Sequence, residues 1–138
     1  MNYEHQIFLS NRLAVVRLHG SVTAETIMRC AEDLYADPAW DPSFNSIWDV
    51  REIAELIIMP EDIARLVNLS AEMTGRAGSG RRAIVVARAL EHGIATLFSY
   101  RAKPLGRETR VFWSIDEARE WLDVQLGVEV RKYLRIAA

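Results

Sequence analysis

Residues 37–51 read DPAWDPSFNSIWDVR, and within them the chain passes from one periodicity to another. Ahead of them, Ile27, Ala31 and Leu34, with Cys30 between, recur at spacings of three and four, while Glu25, Arg29, Glu32 and Asp33 take the other positions. That pattern predicts an amphipathic helix beginning near Thr23. Pro38 and Pro42 end it, because proline lacks an N–H and disfavours helical geometry in the residue before it. Ser46 to Val50 is then a short apolar run, read as a strand buried on both faces. Arg82 to Arg88 (RAIVVAR) repeats that reading around Ile84, Val85 and Val86.

Working outward, Ile7–Leu9 and Leu13–Leu18 are apolar runs separated by Ser10, Asn11 and Arg12, the pattern of two strands joined by a hairpin turn. Pro60 sits where a first helical turn favours proline, and Ile63, Leu66, Val67 and Met73 follow at helical spacing, giving a second helix over about 60–74. A third covers Glu91–Ala102 through Ile94, Leu97, Phe98 and Arg101, and Arg110–Trp113 forms a further strand. Ser114-Ile115-Asp116-Glu117 fits a capping box, in which the hydroxyl and the carboxylate each satisfy an orphan backbone N–H. It opens a fourth helix over about 115–126. Alternation of strands with crossover helices makes the class α/β, with a mixed, mostly parallel sheet of four or five strands and about four helices. We expect one domain over 1–126 and a C-terminal extension over 127–138. In that extension Val128, Val130, Leu134 and Ile136 lie on even positions, as a strand requires, but Lys132 interrupts them, so strand and helix both remain open.

The 138 residues correspond to one domain. Half are hydrophobic and 26% charged, which excludes a disordered chain. Seventeen Lys plus Arg against nineteen Asp plus Glu give a formal charge of -2, too balanced for a protein that neutralises many phosphates, so no nucleic-acid partner is expected. Cys30 is the single cysteine, which rules out an internal disulfide and a Cys-rich metal site. The opening MNYEHQIFLSNR lacks a basic region followed by a long apolar run, and no stretch approaches the roughly 18 apolar residues of a membrane span. A cytoplasmic protein without a transmembrane segment is expected.

Several segments, in their order and spacing, resemble the SpoIIAA-like proteins of the STAS/SEC14 group, small domains related to anti-sigma factor antagonists. They are HGSVTAET at 19–26, DPAWDPSFNSIWDVR at 37–51, RAIVVA at 82–87, EHGIATLF at 91–98 and VFWSIDEAREWL at 111–122. The resemblance spans residues 7–122 and implies a STAS-like fold with helices on one side of the sheet. It also implies a non-catalytic regulatory or interaction module. In phosphoregulated STAS proteins a Ser in an Asp-Ser-Ser-Gly turn opens the second helix and is modified by a partner kinase. Here that stretch is Ile57-Ile58-Met59-Pro60, with no hydroxyl to phosphorylate. The SEC14 side of the group implies an alternative, a carrier or sensor of a lipid or other apolar small molecule.

Asp49 and Arg51 are the best-placed polar pair, at the expected end of a parallel strand, where open α/β sheets bind ligands. An Asp there can equally cap a turn or pair with a neighbouring Arg. His92, at the start of the third helix, is expected to overlook the same crevice; His5 is expected to be solvated. Gly75–Arg82 is glycine-rich and basic, but it follows a helix and opens a strand, the reverse of a phosphate-binding loop, and reads as a connection whose arginines could meet an acidic partner. Cys30 reads as a small core residue, and Trp40, Trp48, Trp113 and Trp121 as packing residues. Leu56, Ile57, Ile58 and Met59 form an apolar run that either plugs the sheet edge, extends the second helix, or offers a dimer or ligand surface. The candidate ligand or partner surface is therefore Asp49, Arg51, Ile57, Ile58, Met59 and His92. No nucleophile, base or metal constellation is present, so no enzyme activity, metal or cofactor is expected. The expected partners are a second copy of the chain, another protein or an apolar small molecule.

Overall fold

The computed structural model describes residues 2–73 and 78–137. Its five strands are β1 (Tyr3–Phe8), β2 (Leu13–Thr23), β3 (Asn45–Ile57), β4 (Arg82–Val85) and β5 (Thr109–Phe112). They lie in the order of the chain, β1-β2-β3-β4-β5. The first pair is antiparallel, closed by the hairpin turn, and every later pair is parallel. The α-helices are α1 (Ala24–Ala36), α2 (Pro60–Glu72), α3 (Ala89–Ala102), α4 (Ile115–Leu122) and α5 (Val128–Tyr133).

The helix starts are written in side chains. At α1 the Thr26 N–H donates to Thr23 Oγ1 at 3.3 Å, and the Thr23 N–H donates back to Thr26 Oγ1 at 3.2 Å. Pro60 opens α2, where Asp62 Oδ2 accepts the Met59 N–H at 2.8 Å. At α4 only half of the expected capping box forms. Ser114 Oγ accepts the Glu117 N–H at 3.2 Å, but the Glu117 carboxylate takes the Ser114 hydroxyl at 3.1 Å instead of a backbone N–H.

Helices cover both faces of the sheet, which corrects the expectation of helices on one side. Beneath one face, Leu13, Val15, Ile47 and Val85 pack against Ile115, Ala118 and Leu122 of α4 and Val130 and Leu134 of the tail. The residues after Gly127 thus form a helix that belongs to the core, resolving the choice left open by Lys132. That residue falls on the helix's outer side while Val130 and Leu134, four apart, point inward. On the other face, Val16, Leu18 and Trp48 pack against Cys30 and Leu34 of α1 and Met73 beyond α2.

β3 is longer than the apolar run SIWDV. It continues to Ile57 because β2 runs beside it as far as Thr23, with two register shifts between Arg17 and Ser21. The apolar run therefore divides: Leu56 and Ile57 end the strand, while Ile58 and Met59 lead into α2. Of the glycine-rich segment, residues 75–77 lie outside the described residues. Gly78 has φ +77°, and an added Cβ would meet Pro42 O at 1.9 Å; one on Gly80 would meet Phe44 O at 1.9 Å. These glycines let the chain lie directly on the 42–45 backbone as it enters β4.

Candidate functional site: an apolar cavity with a buried arginine

Side chains from α1, α2 and α3 converge on the sheet around a cavity of about 120 Å³. Its walls follow from helical spacing. Ile27, Ala31 and Tyr35 form one stripe of α1, Leu66 and Leu69 one side of α2 with Met73 just past its end, and Ile94 and Phe98 one stripe of α3. Leu18 of β2, Trp48, Val50, Ile53 and Leu56 of β3 and Ile84 of β4 form the floor. Ala31 and Ala95 contribute only a methyl each where larger residues would close the space.

Two charged side chains line this otherwise apolar volume. Arg82, at the start of β4, is 8% exposed. Its Nη2 donates to the Tyr35 hydroxyl at 3.1 Å, and its guanidinium carbon lies 5.8 Å from the ring centroids of both Trp48 and Phe98. Its Nε has no hydrogen-bond partner, and among the described residues no carboxylate pairs with it. An aromatic face stabilises a desolvated guanidinium by about 2 kcal/mol, whereas burying an ion costs several kcal/mol. The second is Glu91, buried on α3, which takes both donors of Arg88, the Nε bond measuring 3.2 Å. Arg88 Nη1 also donates to Ala54 O at 3.0 Å, fastening the start of α3 to β3.

Behind Arg82 lies a smaller cleft shared with Ser70, Arg107 and Thr109. Burial, together with the nearby charge of Arg82, brings the Arg107 guanidinium down to about 10, so it remains a cation at neutral pH. Thr109 Oγ1 is buried there with no hydrogen-bond partner. With Glu91 paired to Arg88, Arg82 is the charged cavity-lining side chain that no described carboxylate pairs.

The residues singled out from the sequence do not assemble into one site. Asp49 is 1% exposed and lies within β3, not at its end. It accepts the Arg51 N–H at 3.1 Å and is gripped by the Arg51 fork at 2.8 and 2.9 Å. Arg51 Nη2 also donates to Leu134 O at 3.1 Å, so the pair anchors the C-terminal tail on the α4–α5 face. The hydrogen bonds to the Asp49 carboxylate raise the Arg51 pKa above its ordinary value. His92 is on α3, whose Glu91, Ile94 and Phe98 line the cavity, whereas the Asp49–Arg51 pair faces the C-terminal tail. The His92 ring stacks on Trp113 at 4.5 Å between centroids, inclined by 6°, with Trp113 half exposed. Ile57 and Met59 are exposed and Ile58 is half-buried, beside the cavity wall at Leu56.

Other side chains resolve simply. Cys30 is buried, and burial pushes its thiol up to about 12, as suits a core residue. His5 is not solvated: its Nε2 lies 2.8 Å from Asp37 Oδ2. Of the basic run, Arg81 Nη1 donates to Trp121 O at 2.8 Å and Arg82 faces the cavity. Arg76 lies outside the described residues. Among the described residues no group of three or more His, Cys, Asp or Glu is placed to hold a metal, and no helix is long and apolar enough to cross a membrane.

Sequence reasoning did not single out Arg82 or Glu91 as site residues, and it implied an apolar cavity only through the carrier alternative. The signal was present in Arg82, a charge at the head of a strand predicted to be buried on both faces. A second signal was α3, where Ile94, Leu97 and Phe98 leave little polar surface.

No family model matches the chain, and no curated protein matches it in sequence. Among solved structures, a similar one is an uncharacterised protein of the DUF3478 family with a SpoIIAA-like fold from Shewanella loihica. The two share 18% identity over 80% of this chain and 83% of that one, with a TM-score of 0.51. At that identity the likeness is one of architecture, and with the sheet order and crossovers it shows that this chain has a SpoIIAA-like, STAS-type α/β fold.

Proposed function

We propose that this protein is a non-catalytic binding module that senses or carries a small, largely apolar molecule between its three-helix layer and the sheet. The observation that carries this reading is the cavity of about 120 Å³ bounded by Trp48, Leu69 and Phe98. An apolar recess of this size beneath three helices, with one polar group at its wall, is the usual form of a small-molecule site. Its size also limits the occupant. An apolar cavity of about 150 Å³ takes one benzene ring, which favours a single ring or a short aliphatic group over an enclosed lipid.

Calorimetric titration with toluene tests it. The account expects one saturable site with a negative heat-capacity change, the mark of apolar burial, and its loss in Ala95→Leu. Absence of saturable binding would overturn it.

A second reading, an interaction module acting as a homodimer through the start of α2, is favoured by the exposed Ile57 and Met59. Native mass spectrometry separates the two. A dimer dissociated by Met59→Asp supports the interaction surface, and a monomer at micromolar concentration counts against it.

A further inference from the structure

We infer that the ligand of this cavity is a small carboxylic acid, aromatic or short-chain aliphatic, whose carboxylate is held by Arg82. The inference rests on the cavity reading and adds the chemistry of the ligand's polar end. Three features support it. The guanidinium is buried at the cavity wall with its Nε unpartnered. A buried donor without a partner is costly in native proteins, and of the arginines in that state Arg82 is the one that lines the cavity. The guanidinium is also held in place, by the Tyr35 hydroxyl at 3.1 Å and by the faces of Trp48 and Phe98, so little ordering remains to be done on binding.

The sign of the surrounding charge agrees. Glu91 is the one carboxylate among the described lining residues, and Arg88 neutralises it, which leaves the Arg82 guanidinium as the cavity's uncompensated charge. An arginine fork matches carboxylate geometry, and its hydrogen bonds to an anion are the stronger kind. An apolar body with an anionic end therefore fits both the walls and Arg82, whereas a cationic ligand meets repulsion.

The test is a titration of the full chain with toluene, benzamide and benzoate, repeated on Arg82→Met, which keeps an apolar stem. The account expects benzoate to bind at least roughly tenfold more tightly than its near-isostere benzamide. In Arg82→Met that advantage disappears, while toluene binding stays within about threefold and shows that the fold is kept. Toluene binding with no preference for benzoate would overturn the carboxylate assignment and leave the cavity reading standing. Benzoate binding that is indifferent to Arg82→Met would overturn it in the same way. If neither probe binds the wild-type protein, both readings fall. Should Arg82→Met not fold, the wild-type comparison of benzoate with benzamide decides alone.

Discussion

Replacing Ala95 by leucine is expected to stabilise the protein while abolishing its binding of small apolar molecules. Ala95 lies on α3 at the cavity wall, where leucine adds three carbons to a volume of about 120 Å³. At about 0.8 kcal/mol per buried CH₂ those carbons contribute ~2.4 kcal/mol if they fit. Ordering the longer side chain costs about 0.5–1 kcal/mol, and the helix propensities of Ala and Leu are close. The net gain is then about 1.5 kcal/mol, which at this chain length corresponds to a rise of roughly 6 °C in Tm. Differential scanning calorimetry of both proteins, each with and without toluene, reads the effect. Toluene should raise the wild-type Tm and leave that of Ala95→Leu unchanged, because a ligand stabilises only the state it binds. A variant less stable by about 1–3 kcal/mol, the ordinary cost of overpacking, would show that the space is not there and would refute the reasoning. The combination of a gain in stability with a loss of binding is what a core left incomplete for a ligand should give.

Three further outcomes are expected. Arg51→Ala should destabilise by about 3–5 kcal/mol, more than Asp49→Ala, because it strands a carboxylate that is 1% exposed whereas Arg51 can turn to water. Urea unfolding of both single variants and the double variant checks this, and equal losses would contradict the stranding of a buried carboxylate. Gly80→Ala should cost more than about 2 kcal/mol, since its Cβ would lie 1.9 Å from Phe44 O, backbone that cannot move without separating β4 from the 42–45 segment. An unchanged Tm would contradict that packing. Finally, the Ala39 N–H and then His5 hold the Asp37 carboxyl below its ordinary value. A depressed folded-state pKa gives stability that is present above the unfolded value, near 4, and is lost as pH falls through the folded one. Asp37→Asn should therefore reduce the loss of stability between pH 5 and about 2 in acid titrations. A parallel pair of stability–pH curves would contradict the assignment.

The fold was legible wherever periodicity and punctuation agreed. Pro38 and Pro42 closed α1, Pro60 opened α2, and the repeated apolar runs at Ile47 and Ile84 implied adjacent parallel strands, as the β3–β4 pairing shows. The second half of β3 was not legible, because Arg51, Glu52 and Glu55 interrupt the apolar pattern. Those charges find partners across the surface: Glu52 takes Arg17 at 2.8 Å and Arg135 at 3.4 Å. Lys132 obscured α5 in the same way, since one polar residue in so short a segment fits either periodicity. The covering of both sheet faces could not be read from α4 and α5 alone, because an amphipathic stripe says that a helix has a buried side and not which side of the sheet it meets.

The site was less legible than the fold for a different reason. A cavity is made by what several distant segments fail to fill, and Ala31, Ala95 and Met73 each look like ordinary core positions by themselves. Arg82 stood beside Arg81 in a glycine-rich run and read as a surface charge, although the next residue of its strand, Ala83, is fully buried. Asp49 and His92 attracted notice as polar residues near apolar strands, yet each is engaged by one neighbour, Arg51 or Trp113. Alternation along β3 puts Trp48 in the cavity floor and Asp49 on the opposite face, so a one-residue step separates the binding face from the tail anchor.

The most direct test of the central claim is a methyl-resolved NMR titration with toluene, because it reports where the probe goes as well as whether it binds. The account predicts saturable shifts at Leu69, Ile84 and Ile94 around the cavity, with Leu122 and Val130 on the opposite face unmoved. Shifts that fail to saturate, or that fall on the α4–α5 face, would contradict it.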